Sequence, residues 1–313
     1  MANRRPDLER LPYKAPRYLT PMLFPLMGRL VKQGTVYYQD IVADSAAQTG
    51  RTSGDAPTAQ KLTDQHTTFD LDDDEFIDRI NIPAQEIAGL GGLQRAQQKG
   101  ARVAKRNVAT AVEDLTVANI LGNASANKRD ILDSLLDAVD IARDYVMDRV
   151  PGRIALVCSQ RIFSRIKRYD AVIERMKFTG VLASGSRDVR SISALQMASV
   201  LDLDEVLVGP NSEWYDDDTD YQDRAAIVAL PDPMVDPDEE IQIGRTIAFS
   251  PLDAEFNDLF QIETFYSDDL RSEVLDAQIF AEQKVFNPEG IYILDGIDEG
   301  NSTMTTTTTT TTN

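Results

Sequence analysis

The amino-acid sequence predicts an α+β fold, and three features carry that expectation. Small apolar residues recur at steps of three and four from Leu93 to Leu121, the mark of one long helix. A strand, helix, helix, strand unit follows from Arg153 to Gly209, and from Ala225 onward strand signals dominate. With 313 residues, 42% hydrophobic and 27% charged, the chain can bury a proper core in one or two domains. No run approaches the 18 apolar residues of a membrane-spanning helix.

The leader comes first. Pro6, Pro12, Pro16, Pro21 and Pro25 each fix φ and remove a donor, so the segment reads as extended and cannot form a signal peptide's apolar helix. It nevertheless carries Tyr18, Leu19, Met22, Leu23, Phe24, Leu26 and Met27. Those side chains need cover, either from this chain's own body or from another subunit. The leader is also basic. Residues 1–34 hold seven Lys/Arg against Asp7 and Glu9, a net of +5 that leaves −24 for the rest of a chain whose total is −19. So acidic a body repels nucleic acid, while a basic arm can lie on an acidic neighbour or simply act as a solvated tail.

Strand composition appears at Gly34–Val42 and again at Thr67–Ala84. The two dozen polar residues between them, with Gly50, Gly54 and Pro57, suggest a long hairpin with a mobile tip. On the helix that follows, Ala101, Ala104, Val108, Ala111, Leu115 and Ala118 are expected to form the buried stripe, with Gly122 and Asn123 as its stop. Arg129–Val150 reads as a second amphipathic helix ended by Pro151 and Gly152. "RIALVCS" is a buried strand, "QRIFSRIKRYDAVIERMK" is helical, and "ISALQMASV" is a helix leading into the strand "EVLVG". The terminal "GNSTMTTTTTTTTN" has too little apolar surface to pack and is expected to be disordered.

Catalytic chemistry is hard to find. His66 stands in a polar loop, and any Ser-His-Asp or Cys-His arrangement would have to use it. Cys158 lies inside an apolar strand without the glycines of a nucleophile elbow, so it reads as a small buried hydrophobe. A single cysteine forms no internal disulfide and suits a reducing cytoplasm. "GLGGLQRAQQKG" resembles a phosphate loop after a strand, but Gln94 stands where the sixth-position glycine belongs. Asp216, Asp218 and Asp220 alternate like a calcium loop, yet Tyr221 and Ile227 occupy the positions of its glycine and glutamate. No catalytic, cofactor-binding or metal-binding residue is assigned, and no cofactor is expected.

The order of elements says more than the motifs. "YLTPMLFPLMGRLVKQGTVYYQDIVAD", "DEFIDRINIPAQEIAGLGGLQRAQQKGARVAKRNVATAVEDLTVANIL", "PGRIALVCSQRIFSRIKR", "ISALQMASVLDLDEVLVGP" and "DLFQIETFYSDDLRSEVLDAQIFAEQKVFNPEGIYIL" follow one another in an order that resembles the Hong Kong 97-type major capsid proteins of tailed bacteriophages. The resemblance implies an N-terminal arm at 1–33, an extended β-hairpin loop at 34–84, a peripheral domain with a spine helix at 85–125 and 240–297, an α/β axial domain at 126–239, and a low-complexity tail at 298–313. On that reading "LDLDEVLVGP" is packing and not a ligand site.

The resemblance also implies a function, a non-enzymatic one. Copies would assemble into pentamers and hexamers of an icosahedral shell that encloses phage DNA without reading its sequence. Partners would be the chain itself, a separate scaffolding protein, a portal and decoration proteins, in a virion assembled in the host cytoplasm. The arm and hairpin are expected to find cover on sister molecules. Tyr37 and Tyr38 either anchor the hairpin on a neighbour or pack at home. Two rivals are an encapsulin-like cage holding cargo enzymes and a soluble α/β enzyme with residues 43–66 as a lid.

Overall fold

The computed structural model describes residues 3–12, 18–39, 65–72, 75–131, 134–150, 152–183, 188–209, 223–237, 239–251 and 255–297. From the N-terminus come β1 (Asn3–Arg4), α1 (Pro6–Glu9), α2 (Thr20–Leu23) and β2 (Leu26–Arg29). The hairpin β3 (Gln33–Tyr38) and β4 (Gln65–Asp70) follows, then β5 (Glu75–Pro83), α3 (Ala84–Gly89) and α4 (Leu93–Leu121). Next are β6 (Asn127–Asp130), α5 (Leu135–Met147), β7 (Arg153–Ser159), α6 (Gln160–Ile166), α7 (Asp170–Phe178), α8 (Ala194–Leu201), β8 (Glu205–Gly209) and β9 (Ala225–Leu230). The chain closes with β10 (Gly244–Phe249), β11 (Gln261–Ser267), β12 (Ser272–Val285) and β13 (Ile291–Asp295). These elements divide between two units, one of residues 1–119 and 231–287, the other of 120–230 and 288–313.

The first unit is built on β12. Its Ser272–Phe280 half pairs antiparallel with β5, its Ser272–Gln278 stretch pairs with β11 on the other side, and its Ala281–Val285 end pairs with β10. β1 extends the sheet beside β11, and β2 runs parallel to β10. Against this sheet lies α4, all but its last two residues belonging to this unit. Ala101, Ala104, Val108 and Ala109 are buried among Ile262, Leu275, Ala277, Ile279 and Phe260, small side chains that let the helix approach the strands closely.

The helix has the expected boundaries, but its buried face departs from the expected stripe after Val108. Ala109, Val112, Glu113, Thr116 and Val117 are buried, whereas Ala111 is exposed and Leu115 and Ala118 are half-buried. A strict three-four alternation has a period of 3.5 residues, and a straight α-helix of period 3.6 drifts about 20° per heptad away from it. The expected second strand region also divides. A turn at Leu71 and Asp72 separates β4, which pairs with β3, from β5, which joins the main sheet.

The second unit has a five-stranded sheet in the order β6, β13, β9, β7, β8, in which β7 pairs parallel with β8 and antiparallel with β9. β7 and β9 are buried almost end to end, which suits the apolar runs "IALVCS" and "AAIVAL". Its helices start where their caps dictate. The Ser134 hydroxyl accepts from Asp137 N, so α5 begins at Leu135 and not at Arg129, while Asn127–Asp130 is drawn off as a strand along β13. Ser159 caps α6, and Ser193 with Gln196 forms a capping box on α8.

Three divisions fall at other places than the expected domain bounds. Residues 120–125 and 288–297 belong to the second unit, where Ile291–Asp295 pairs with β9 and β6, and residues 231–239 belong to the first. A five-residue apolar run carries no mark of which sheet will receive it. The tail at 298–313 lies outside the described residues.

Candidate assembly surface

Cys158 is fully buried in β7, and burial pushes its thiol up to about 12. His66 sits exposed on β4 with its ring 5.9 Å from that of Tyr37. Asp216, Asp218 and Asp220 lie outside the described residues, as do residues 43–64 of the lid considered above. Among the described residues no three His, Cys, Asp or Glu side chains are placed to hold a metal ion.

The glycine-rich stretch does not follow a strand directly, because α3 intervenes. Gly91 and Gly92, at φ 79° and 129°, make the tight turn from α3 into α4. Within "LDLDEVLVGP", residues 201–209 pack in the second unit: Asp202 ends α8 at φ 56°, the Asp204 carboxylate accepts from Ile154 N at 2.8 Å, and β8 pairs along β7.

The leader is where polar side chains converge. The Glu113 carboxylate, fully buried on α4, accepts hydrogen bonds from Leu19 N at 2.7 Å, Thr20 N at 2.9 Å and Thr20 Oγ1 at 2.6 Å. Those donors are the free N–H groups and first side chain of α2, so Glu113 caps a helix that has no cap of its own. Thr116 Oγ1 stands 2.7 Å from Thr20 Oγ1 and receives a hydrogen bond from Gln283 Nε2 at 2.7 Å, tying the leader to β12 through α4. Two turns earlier, Lys105 Nζ donates to the carbonyls of Glu9 and Leu11 and lies 4.8 Å from the Phe260 ring centre. Burial lowers the Lys105 ammonium's pKa, with Glu9 and Asp258 pulling it back up. Beside these anchors Leu8, Leu19, Leu23 and Phe24 are buried.

Neither Lys105 nor Glu113 was singled out from the sequence, because a charge on an amphipathic helix is normally read as its wet face. The one available signal is their register. Both fall beside buried positions (Ala104 and Val112) of a 3.6-residue repeat.

In the hairpin the two tyrosines part company. Tyr38 stacks on Phe286 at 4.8 Å and nearly parallel, while Tyr37 is 54% exposed. Alternation across a strand sends neighbours to opposite faces, and only one face here meets Val36, Phe69, Leu71 and Phe286.

No family model matches the chain, and no curated protein matches it. Solved structures do. A phage-related protein from Bordetella bronchiseptica RB50 superposes with a TM-score of 0.67 at 16% identity, covering 94% of this chain and 97% of that one. The mature capsid of bacteriophage PhiM1 matches at 0.55 and 10% identity over 91% and 88% of the two chains. The SrpI encapsulin of Synechococcus elongatus PCC 7942 matches at 0.51 and 8% over 94% and 96%. The chain has the Hong Kong 97-like capsid fold.

Within this Hong Kong 97-like chain the leader departs from expectation. β1 and β2 are strands of the first unit's own sheet, and the leader's buried apolar residues are covered by their own polypeptide. Its prolines exclude a long helix, but they permit two short helices and two strand segments, whose open N–H and C=O groups pair with Glu113 and Lys105 of α4 and with the sheet. Among the described residues, the large apolar side chains that the leader and the hairpin leave exposed are Met22, Leu30, Val31 and Tyr37. Tyr38→Ala is expected to destabilise the hairpin by about 2–3 kcal/mol, since it empties the contact with Phe286. Tyr37→Ala should leave the melting temperature within about 1 °C of the parent. Thermal melts of the two variants check both.

Proposed function

We propose that this chain is a coat subunit that assembles with copies of itself into pentamers and hexamers of a closed icosahedral shell around phage DNA. The observation that supports it is likeness over most of the chain, 91% of it against 88% of the PhiM1 capsid chain. A single shared domain would say little about function, since one fold hosts many. A separate scaffolding protein, a portal and decoration proteins complete the reading, and the virion is its place of residence.

The physical logic is multivalency. Each contact between copies can be weak, because in a closed shell every subunit meets several neighbours and each further contact forms at high effective concentration. The leader, held by Lys105 and Glu113, serves as an internal strut and not as a strap over neighbours. Contact with other copies then falls to the surfaces left open, among them Tyr37. The net charge of −19 keeps DNA from sticking to the coat while it is packaged.

The whole-length match to the SrpI encapsulin favours a second reading, a cage for cargo proteins. Electron microscopy of the purified chain, with a nuclease-protection assay on particles from infected or induced cells, separates the two. Closed shells holding protected DNA are expected. Shells holding protein cargo and no DNA favour the cage, and a protein that stays monomeric or in small oligomers overturns both.

A further inference from the structure

One cavity of about 190 Å³ opens at the end of β2, lined by Arg4, Arg29, Leu30, Ser250, Asp258 and Gln261 among others. Its cations are not equivalent. Arg4 is engaged by the Glu9 carboxylate at 2.9 Å. Among the described residues, Arg29 Nη2 donates to the Met27 thioether at 3.0 Å, a weak acceptor, and the buried Nε has no hydrogen-bond partner. A buried guanidinium edge without an acceptor is costly, and its planar fork suits a carboxylate. Asp258 faces the same cavity but already receives Glu255 N, and no hydrogen bond joins it to Arg29. Leu30, which lines the cavity, is 71% exposed, and its chain neighbour Val31 is 56% exposed.

The complementary surface lies elsewhere on the same unit. The turn between β11 and β12 presents Asp268 and Asp269, both exposed, flanked by exposed Tyr266 and Leu270. Its shape is held by Leu270 N on Ser267 Oγ and Arg271 N on the Asp268 carbonyl. One copy cannot bring the two surfaces together. Arg29 pairs with Phe249 of β10, level with Phe280 of β12, and the turn begins beyond Ser272 on that strand. Eight residues of strand separate them by about 26 Å at roughly 3.3 Å per residue.

We infer that the Arg29 cavity receives the Asp268–Asp269 turn of a second copy, with Leu270 or Tyr266 of that copy lying over Leu30 and Val31. A cavity on one copy and a turn on the next make a heterologous contact, which propagates into rings or a closed lattice instead of stopping at a dimer. The inference deepens the shell reading by naming one interface between copies, and it rests on that reading only for the final architecture.

The test uses the full chain. Leu30→Cys and Leu270→Cys proteins are prepared separately and mixed under mild oxidation, with the buried native Cys158 as an internal control. A disulfide-linked dimer of unlike chains is expected in the mixture. It should fall about tenfold when the Leu270→Cys chain also carries Asp268→Lys and Asp269→Lys, because like charges then face each other. Arg29→Gln in the other chain should act in the same direction, and if that variant fails to fold, the exposed turn variant decides alone. No cross-link in the mixture, or one that charge reversal leaves unchanged, overturns the contact. Microscopy of the parent protein keeps the questions apart: shells without the cross-link sink this contact, and the cross-link without shells sinks the shell reading.

Discussion

Replacing Glu113 with alanine is expected to lower the unfolding free energy by about 3–5 kcal/mol. Three donors, Leu19 N, Thr20 N and Thr20 Oγ1, now end on one buried carboxylate. Removing it leaves two backbone N–H groups and a hydroxyl competing for whatever acceptors remain, and each unsatisfied buried donor costs about 1–3 kcal/mol. The loss should appear first in the leader. Hydrogen exchange at Leu19, Thr20 and Leu23 would speed up before exchange in β12 does, because opening the strut is a local event. Glu113→Gln keeps one acceptor but turns an –NH₂ toward Thr20, so its cost should fall between parent and alanine. Urea titration with a fixed slope measures both. A change under about 1 kcal/mol for the alanine variant would show that the carboxylate is not what holds α2.

Gly244→Ala should be nearly as damaging, at about 3 kcal/mol, for a purely steric reason. A Cβ at that position would stand 2.2 Å from the Lys284 carbonyl oxygen and 2.6 Å from Phe24 Cε1. The carbonyl belongs to the β10–β12 ladder and cannot step aside without breaking register, and Phe24 is fully buried. Phe24→Leu in the same chain should recover part of the loss by clearing the ring but not the carbonyl. The recovery, read as a double-mutant cycle, reports how much of the clash is side chain. A Gly244→Ala protein with an unchanged melting temperature would refute the close approach of leader and sheet at this point.

These two sites show where the sequence was legible and where it was not. The length and limits of α4 followed from its repeat, and the burial of β7 followed from its unbroken apolar run, because both are local properties of the chain. The Lys105 and Glu113 anchors were invisible for the opposite reason. A charged side chain is buried only if a distant segment supplies its partners, and apart from Thr20 Oγ1 the partners named here are main-chain groups of residues 9, 11, 19 and 20, which carry no sequence signal. The cavity at Arg29 escaped notice likewise: its walls come from β1, β2, the end of β10 and the start of β11.

Taken alone, the sequence determined the α+β class, the long helix, a helical stretch between β7 and β8 (three helices where two were expected) and the leader's need for cover, since periodicity, proline geometry and charge are written along the chain. It did not determine who provides that cover. Only the tertiary structure placed the leader on its own α4 and sheet, moved 291–295 into the second unit, and turned Tyr38 inward while leaving Tyr37 out. Apolar surface carries a demand for burial but no address, and the address is set by which strand edges and buried acceptors the rest of the fold leaves open.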